Sequence, residues 1–321
     1  MEKQQYVNSL NSPRFAGIKT FMRLPHSNDF TDVDFAVIGI PFDTGSSFAT
    51  GSRFGPQSIR EASTILKPYH PILQVNVFDQ CVGIDYGDIA VIPGYIQETY
   101  ATVESALTPI IDAGIIPVCL GGDHSITLPE LRAIAKKYGP VSLIHFDSHS
   151  DTTDLFFGQL YNHGTTFRRA LEEGLILPEN TLQIGLRGPL YSADQFDFAI
   201  SHGIEILTNW DIREKGFAYT IEKIKMKTAG HPVFVTFDID FLDAAYAPGT
   251  GTPEICGFNT FEAQKLVLKG LLDANIVGFD LVEVLPAADS PGMITSYAAA
   301  GILFDFISLI AKQKSTYLGG N

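Results

Sequence analysis

Residues 141–151 read VSLIHFDSHSD, an apolar, β-rich run that breaks off into titratable side chains. A run apolar on both faces is the signature of a parallel strand covered by helices on both sides. Runs of the same kind recur at 35–40, 75–82, 116–120, 181–186, 204–207, 233–237 and 276–284, bounded by Gly, Pro or Asp. Amphipathic stretches lie between them at 97–114, 128–138, 260–272 and 296–311. In the first, Val103, Leu107 and Ile110 fall at i, i+4 and i+7, one helical stripe. Strands alternating with helices predict right-handed βαβ units. The expected fold is therefore α/β, a single three-layer αβα domain around a mostly parallel sheet of about eight strands. It spans residues 35–321 behind an N-terminal arm, 1–34. A closed eight-stranded barrel has the same periodicity and stays open at this point.

Composition narrows the function. The net charge is −14 and the pI near 4.9, which argues against nucleic acid or an anionic membrane as partner, since both reward clustered Lys and Arg. The three cysteines, Cys81, Cys119 and Cys256, show no paired spacing, so a reducing, cytoplasmic setting is expected. The N-terminus lacks the apolar core of a signal peptide. The longest apolar stretch, 297–311, is interrupted by Asp305 and reads as too short to span a bilayer.

In an open parallel sheet, ligands bind just beyond the carboxyl ends of the strands. Three strand ends concentrate metal-ligand residue types: Gly121-Gly122-Asp123-His124, Asp147 to Asp151, and Asp238 to Asp240. Each alone has a plain explanation. The glycines can simply make a tight turn, with Asp123 capping the next helix, and Asp-x-Asp is common in loops. Strand alternation would put Asp147, His149 and Asp151 on one face, and Asp238 and Asp240 on one face. Burying such carboxylates costs several kcal/mol each unless a cation compensates. Four carboxylates and two imidazoles exceed one tetrahedral zinc and suit two divalent ions. The oxygen-rich set points to Mn²⁺, with Fe²⁺, Co²⁺ or Ni²⁺ as alternatives.

These motifs resemble those of the ureohydrolase (arginase/agmatinase) family, in order and over nearly the whole chain. The matching stretches are GSRFGP at 51–56 with Ile59-Arg60, GGDH at 121–124, HFDSHSD at 145–151, NHGT at 162–165, FDIDFLD at 237–243, APGTGTP at 247–253, and Val282-Glu283-Val284 with Ile294-Thr295 at the start of the last helix. The resemblance implies an arginase-like fold. It implies one metal on His124, Asp147, Asp151 and Asp238 and a second on Asp147, His149, Asp238 and Asp240. Asp147 and Asp238 would bridge the two. His163 matches the family's proton-shuttling histidine and Glu283 the carboxylate that holds the guanidinium. Asp151 would aim the nucleophile, a hydroxide bridging the metals that attacks the guanidinium carbon. The products are urea and an amine or ammonia. Three departures stand out: Ser148 where many relatives have Ala, Ala244 where many have Pro, and Phe241 where smaller residues are frequent. Alternation turns Ile239 and Phe241 away from the metals, so packing effects are expected there.

The substrate is less legible. Its tail should meet loops 43–52 and 152–162. Asp154 offers a carboxylate to the amine of agmatine, while Arg187 or Asn162 suits a guanidino acid. Asn162 just before His163, and the arm PRFAGI at 13–18 with TFMRLP at 20–25, lean toward a short guanidino acid, such as 4-guanidinobutyrate or 3-guanidinopropionate, or toward free guanidine. Two other classes remain open at this stage: a single-zinc deacetylase on the related fold, and a catalytically inactive scaffold that keeps metal for stability. The resemblance also suggests a homo-oligomer, trimer or hexamer. The arm's Phe15, Ile18, Phe21 and Leu24 would pack on a neighbour or on their own subunit.

Overall fold

The computed structural model describes residues 6–318. Eight strands form one sheet: β1 (Phe35–Ile40), β2 (Gly83–Asp88), β3 (Ile116–Gly121), β4 (Ser142–Phe146), β5 (Leu182–Leu186), β6 (Glu205–Thr208), β7 (Pro232–Asp238) and β8 (Asn275–Val282). Their spatial order is β2-β1-β3-β8-β7-β4-β5-β6 and every pairing is parallel. The sheet ends at β2 and β6 and does not close, which removes the barrel.

Alternation along β1 sends Phe35 and Val37 to one face and Ala36 and Ile38 to the other, and both faces are apolar and buried. One face packs under α2 (Ile96–Asp112), α3 (Thr127–Tyr138) and α4 (Thr166–Glu172), through Val103, Leu107, Ile110, Leu131, Ile134 and Phe167. The other packs under α1 (Gly55–Ser63), α6 (Phe217–Thr228), α7 (Thr260–Gly270) and α8 (Ile294–Leu318), through Ile59, Ile224, Leu266, Val267, Phe306 and Ile307. A fully buried side chain of this size stabilises by about 1.5–3 kcal/mol, so the two apolar faces dominate the folding energy. The short α5 (Asn209–Lys215) follows β6, nucleated by a reciprocal cap between Thr208 and Asp211.

Some expectations need correction. The run 75–82 is not one strand. Asn76 Oδ1 accepts the Phe78 amide and starts a helical turn, Val77–Gln80, so the sheet strand begins only at Gly83. Gly83 is required there because a Cβ would run into the Phe35 ring. Helices α1, α4, α5 and α6 lie outside the expected amphipathic stretches; α4 and α5 run only seven residues each, too short for a periodic stripe to show. The last helix runs through 25 residues rather than 16. It is long and apolar enough to cross a membrane, but 78% of that window is buried inside the fold. Its Asp305 is held by His70 Nε2 at 2.9 Å and by Gln264 Nε2 at 3.1 Å. The arm divides: Phe21 and Leu24 are buried on their own subunit, with the Phe21 amide on Asp85 Oδ2 at 2.8 Å, while Phe15 and Ile18 are exposed.

Candidate metal centre

Gly122 makes the first strand end possible. A Cβ there would collide with the Phe42 carbonyl, so only glycine lets loop 42–47 close on β3. Asp123 then spends both oxygens on structure. Oδ1 caps the following turn through the Ser125 amide at 3.0 Å, and Oδ2 takes the Gly45 amide at 2.7 Å. Burial, with the nearby Glu283 charge, pushes its carboxyl up to about 7. Asp123 is thus a cap, as the plain reading had it.

His124, next along, is fully buried. Its Nδ1 has no hydrogen-bond partner, yet lies 3.1 Å from Asp147 Oδ2, 3.1 Å from Asp151 Oδ2 and 3.3 Å from Asp238 Oδ2. Ligands about 2.0–2.2 Å from a divalent ion and at right angles to one another sit about 3 Å apart. The three carboxylate oxygens therefore stand at coordination-shell spacing from Nδ1. A second group forms beside it: His149 Nδ1 lies 3.1 Å from Asp240 Oδ2 and 3.6 Å from Asp147 Oδ1. Asp240 Oδ2 is again buried without a hydrogen-bond partner. Asp147 faces one group with each oxygen. Asp238 joins the first group through Oδ2, while its Oδ1 accepts the Asp240 amide at 2.9 Å.

The convergence does not come from strand alternation, because β4 ends at Phe146 and β7 at Asp238. Asp147 to Asp151 form a loop in which the His149 amide turns back onto Asp147 Oδ1 at 2.6 Å. Asp151 takes φ +50° and Ile239–Phe241 are a 3₁₀ turn. Glu283, just past β8, also lies in the left-handed region, at φ +62°, a conformation that costs a non-glycine residue about 1–2 kcal/mol. Strain of this kind concentrates at functional sites.

The electrostatics match. Burial, compounded by Asp240 and Asp147, pushes Asp238 well above the usual carboxylate range. Asp147 is held well below it, because His145, His124 and His149 outweigh its burial. His124 and His149 are raised despite their burial by the carboxylates around them. So much buried negative charge calls for a cation. The orphaned Nδ1 and Oδ2 are the atoms that divalent ions would take, and the donor set fits two of them.

Above the ligands, Glu283 Oε1 accepts the His124 amide at 3.0 Å and His163 Nδ1–H at 2.9 Å. The Ser47 amide donates to His163 Nε2 at 3.1 Å, which requires a lone pair there and selects the neutral Nδ1–H tautomer. Against burial, Glu283, Asp151 and Asp123 draw the His163 pKa up to about 9. Divalent ions beside Asp151 would offset that attraction for a proton. Ser47, His163, Asp151, Phe156, Tyr191 and Glu254 are among the walls of a cavity of ≈ 380 Å³ over the cluster.

The proposed tail residues fare differently. Asp154 is paired with Arg169 at 2.7 Å and is not among the cavity-lining residues. Asn162 caps the turn at His163–Thr165, its Oδ1 accepting the Gly164 amide at 3.0 Å and its Nδ2 bonding the Gly45 carbonyl. Arg187 does line the cavity, though its guanidinium is largely given to the carbonyls of Ile255, Asp240, Leu242 and Glu254.

Residue reasoning missed several partners. Gln183 Nε2 bonds the Ser150 carbonyl at 2.6 Å and His145 Nδ1 at 3.0 Å. The carbonyl can only accept, so the amide orientation is fixed, and His145 must donate through Nε2 to Asp147 Oδ2 at 2.6 Å. His145, which stands within the first group of possible ligands, thus has both ring nitrogens engaged and braces Asp147 from behind. Ser148 Oγ donates to Asp240 Oδ1 at 2.7 Å, a role in orienting a ligand at one of the three departure positions. A polar residue inside an otherwise apolar strand, as at His145 and Gln183, was the available signal.

The Arginase family profile matches residues 33–308. A guanidinobutyrase of Pseudomonas aeruginosa is 40% identical over 93% of this chain and 94% of its own length. A guanidinopropionase of the same organism is 40% identical over 96% of each. Among solved structures, the proclavaminate amidino hydrolase from Streptomyces clavuligerus superposes with a TM-score of 0.90 at 40% identity, over 94% of this chain and 99% of that one.

Proposed function

This chain belongs to the Arginase family of guanidino hydrolases, and from that premise we propose that it cleaves a short guanidino acid to urea and the corresponding amino acid. The observation that carries the reading is Asp147 standing between two groups of ligand atoms, directly below the Glu283–His163 pair. A single-zinc deacetylase has no use for the second group.

When bound, two divalent ions, for which we propose Mn²⁺, supply Lewis acidity that lowers the pKa of water and polarises the substrate. The protein's own groups do the rest. The Glu283 carboxylate binds the guanidinium by charge-assisted hydrogen bonds and fixes its plane over the ligands. Asp151, open to the cavity, accepts a hydrogen bond from the attacking water. His163, bonded to Glu283 through Nδ1–H and to Ser47 at Nε2, would take up a proton at Nε2 from solvent and pass it to the departing amine. Phe156, Pro189 and Leu190 among the cavity walls suit a short methylene tail. Arg187 contributes a fixed positive charge for a terminal carboxylate, and Asp154 is already committed to Arg169. A second reading, agmatine, is favoured by Glu254, whose carboxylate lines the same cavity 4.0 Å from His149 Nε2.

The test is kcat/KM for urea release from 4-guanidinobutyrate, 3-guanidinopropionate, agmatine, arginine and guanidine on Mn²⁺-loaded protein. A guanidino acid should lead by at least tenfold. Agmatine in the lead would move the specificity to Glu254.

A further inference from the structure

The loop after β1 is fastened to the turn that carries His163. The Gly45 carbonyl accepts the His163 amide at 3.1 Å and the Asn162 side-chain amide. A Cβ on Gly45 would meet Ser125 Oγ at 2.8 Å, so the approach needs glycine. Asp43, fully buried, closes the loop onto itself. Its Oδ2 takes the Gly51 amide at 2.7 Å and the Arg53 amide at 3.2 Å, and its Oδ1 takes Arg53 Nε at 2.6 Å.

The loop so held brings Ser47 to one atom of His163. The Ser47 hydroxyl lies 2.7 Å and the Ser47 amide 3.1 Å from Nε2. Across the ring, Nδ1 lies 2.9 Å from Glu283 Oε1. Ser47 and His163 both line the cavity over the ligand cluster.

Donor inventory decides what each contact does. A carboxylate accepts, so Nδ1 carries the hydrogen of the neutral ring, and Nε2 is the nitrogen at which His163 gains and loses a proton. Nε2 has a single lone pair, and Ser47 holds it with two groups. A substrate nitrogen reaches Nε2 directly only by displacing them. The amide N–H donates and cannot accept. The hydroxyl donates to a bare Nε2 and accepts from a protonated one by turning about its C–O bond.

We propose that the Ser47 hydroxyl is the relay through which the His163 proton reaches the departing amine. Nε2–H gives its proton to Ser47 Oγ as Oγ–H gives its own to the nitrogen whose C–N bond breaks. The serine ends as it began, and one proton has moved from imidazolium to amine. Recharging runs the other way, from a hydronium ion in the cavity through Oγ to Nε2. The inference rests on the proposed hydrolase reading, with His163 as its proton donor.

Ser47→Ala removes the hydroxyl and keeps the amide that sets the His163 tautomer; Ser47→Thr restores the hydroxyl. Urea release by Mn²⁺-loaded protein is followed in H₂O–D₂O mixtures, on the fastest-cleaved of 4-guanidinobutyrate, 3-guanidinopropionate, agmatine, arginine and guanidine. S47A should lower kcat about 10–100-fold and change KM by less than about threefold, while S47T recovers at least about a third of the parent kcat. With rising deuterium fraction, kcat should fall along a bowed curve in the parent and S47T, two hydrogens being in flight, and along a straight line in S47A. Apart from turnover, ¹⁵N spectra of histidine-labelled, Zn²⁺-loaded parent and S47A, at a pH where the ring is neutral, should show His163 as the Nδ1–H tautomer. Parent kcat in S47A, a bowed curve that survives in it, an equal loss of kcat in S47T, or an Nε2–H tautomer in the parent would each overturn the relay and leave the hydrolase reading intact. A parent that releases no urea from any of the five compounds would overturn both.

Discussion

His163 Nδ1 and Glu283 Oε1 are hydrogen-bonded at 2.9 Å, and the same oxygen takes the backbone amide of His124. One oxygen of Glu283 is thus fixed by the site itself, and the other is left for a guanidinium. The two residues should respond differently to substitution. Glu283→Gln raises KM and lowers kcat together. His163→Ala lowers kcat by about 10²–10⁴-fold with a smaller change in KM, and added imidazole restores part of it. Steady-state urea release with and without imidazole checks this. Equal effects on KM in both variants would remove His163 from proton transfer.

Ser148 Oγ and the Ser148 amide both donate to Asp240 Oδ1, at 2.7 and 3.1 Å, leaving Oδ2 for a ligand role. Ser148→Ala should therefore weaken the second equivalent of Mn²⁺ about tenfold and leave the first unchanged. Isothermal titration of stripped protein separates the two.

Glu130, on α3, is buried with neither oxygen reaching an N–H or O–H donor. Burial, with the Asp280 charge added, pushes its carboxyl well above the usual range. Between the unfolded value, near 4.5, and the raised folded value, the native state holds a proton that the unfolded chain releases. Stability therefore falls as pH rises through that window. Glu130→Gln should be more stable than the parent at pH 8 by on the order of 1–2 kcal/mol, and the gain should vanish by about pH 4.5. Thermal melts at the two pH values decide it; a gain independent of pH would contradict the assignment.

Gly122→Ala drives a methyl into the Phe42 carbonyl, a backbone clash that no rotamer relieves. A loss of about 3 kcal/mol or more should appear in denaturant unfolding, with the loop bearing Gly45 and Ser47 displaced.

Much of this was legible in the sequence, for physical reasons. Strands buried on both faces are written as unbroken apolar runs, so seven of the eight in the sheet could be placed to within a residue or two. Titratable residues crowded just after such runs have no inexpensive place in a fold, and that marks His124, Asp147, His149, Asp151, Asp238 and Asp240. What stayed hidden is set by local turns and by pairing across strands. Asn76 converts a strand-like run into a helical turn. Asp238 and Asp240 meet through a 3₁₀ turn, not through alternation. Thr236 and Asp280 come to stand opposite each other only once β7 and β8 are in register. Asp154 looked available until the chain folded Arg169 against it.

The measurement that bears most directly on the shared role of Asp147 is a stepwise Mn²⁺ titration of metal-stripped protein, followed at each step by urea release from 4-guanidinobutyrate. Two equivalents should bind, with urea release appearing with the second, and Asp147→Ala should weaken both steps and abolish turnover. Saturation at one equivalent with full activity, or an active Asp147→Ala protein, would contradict a centre built around that carboxylate.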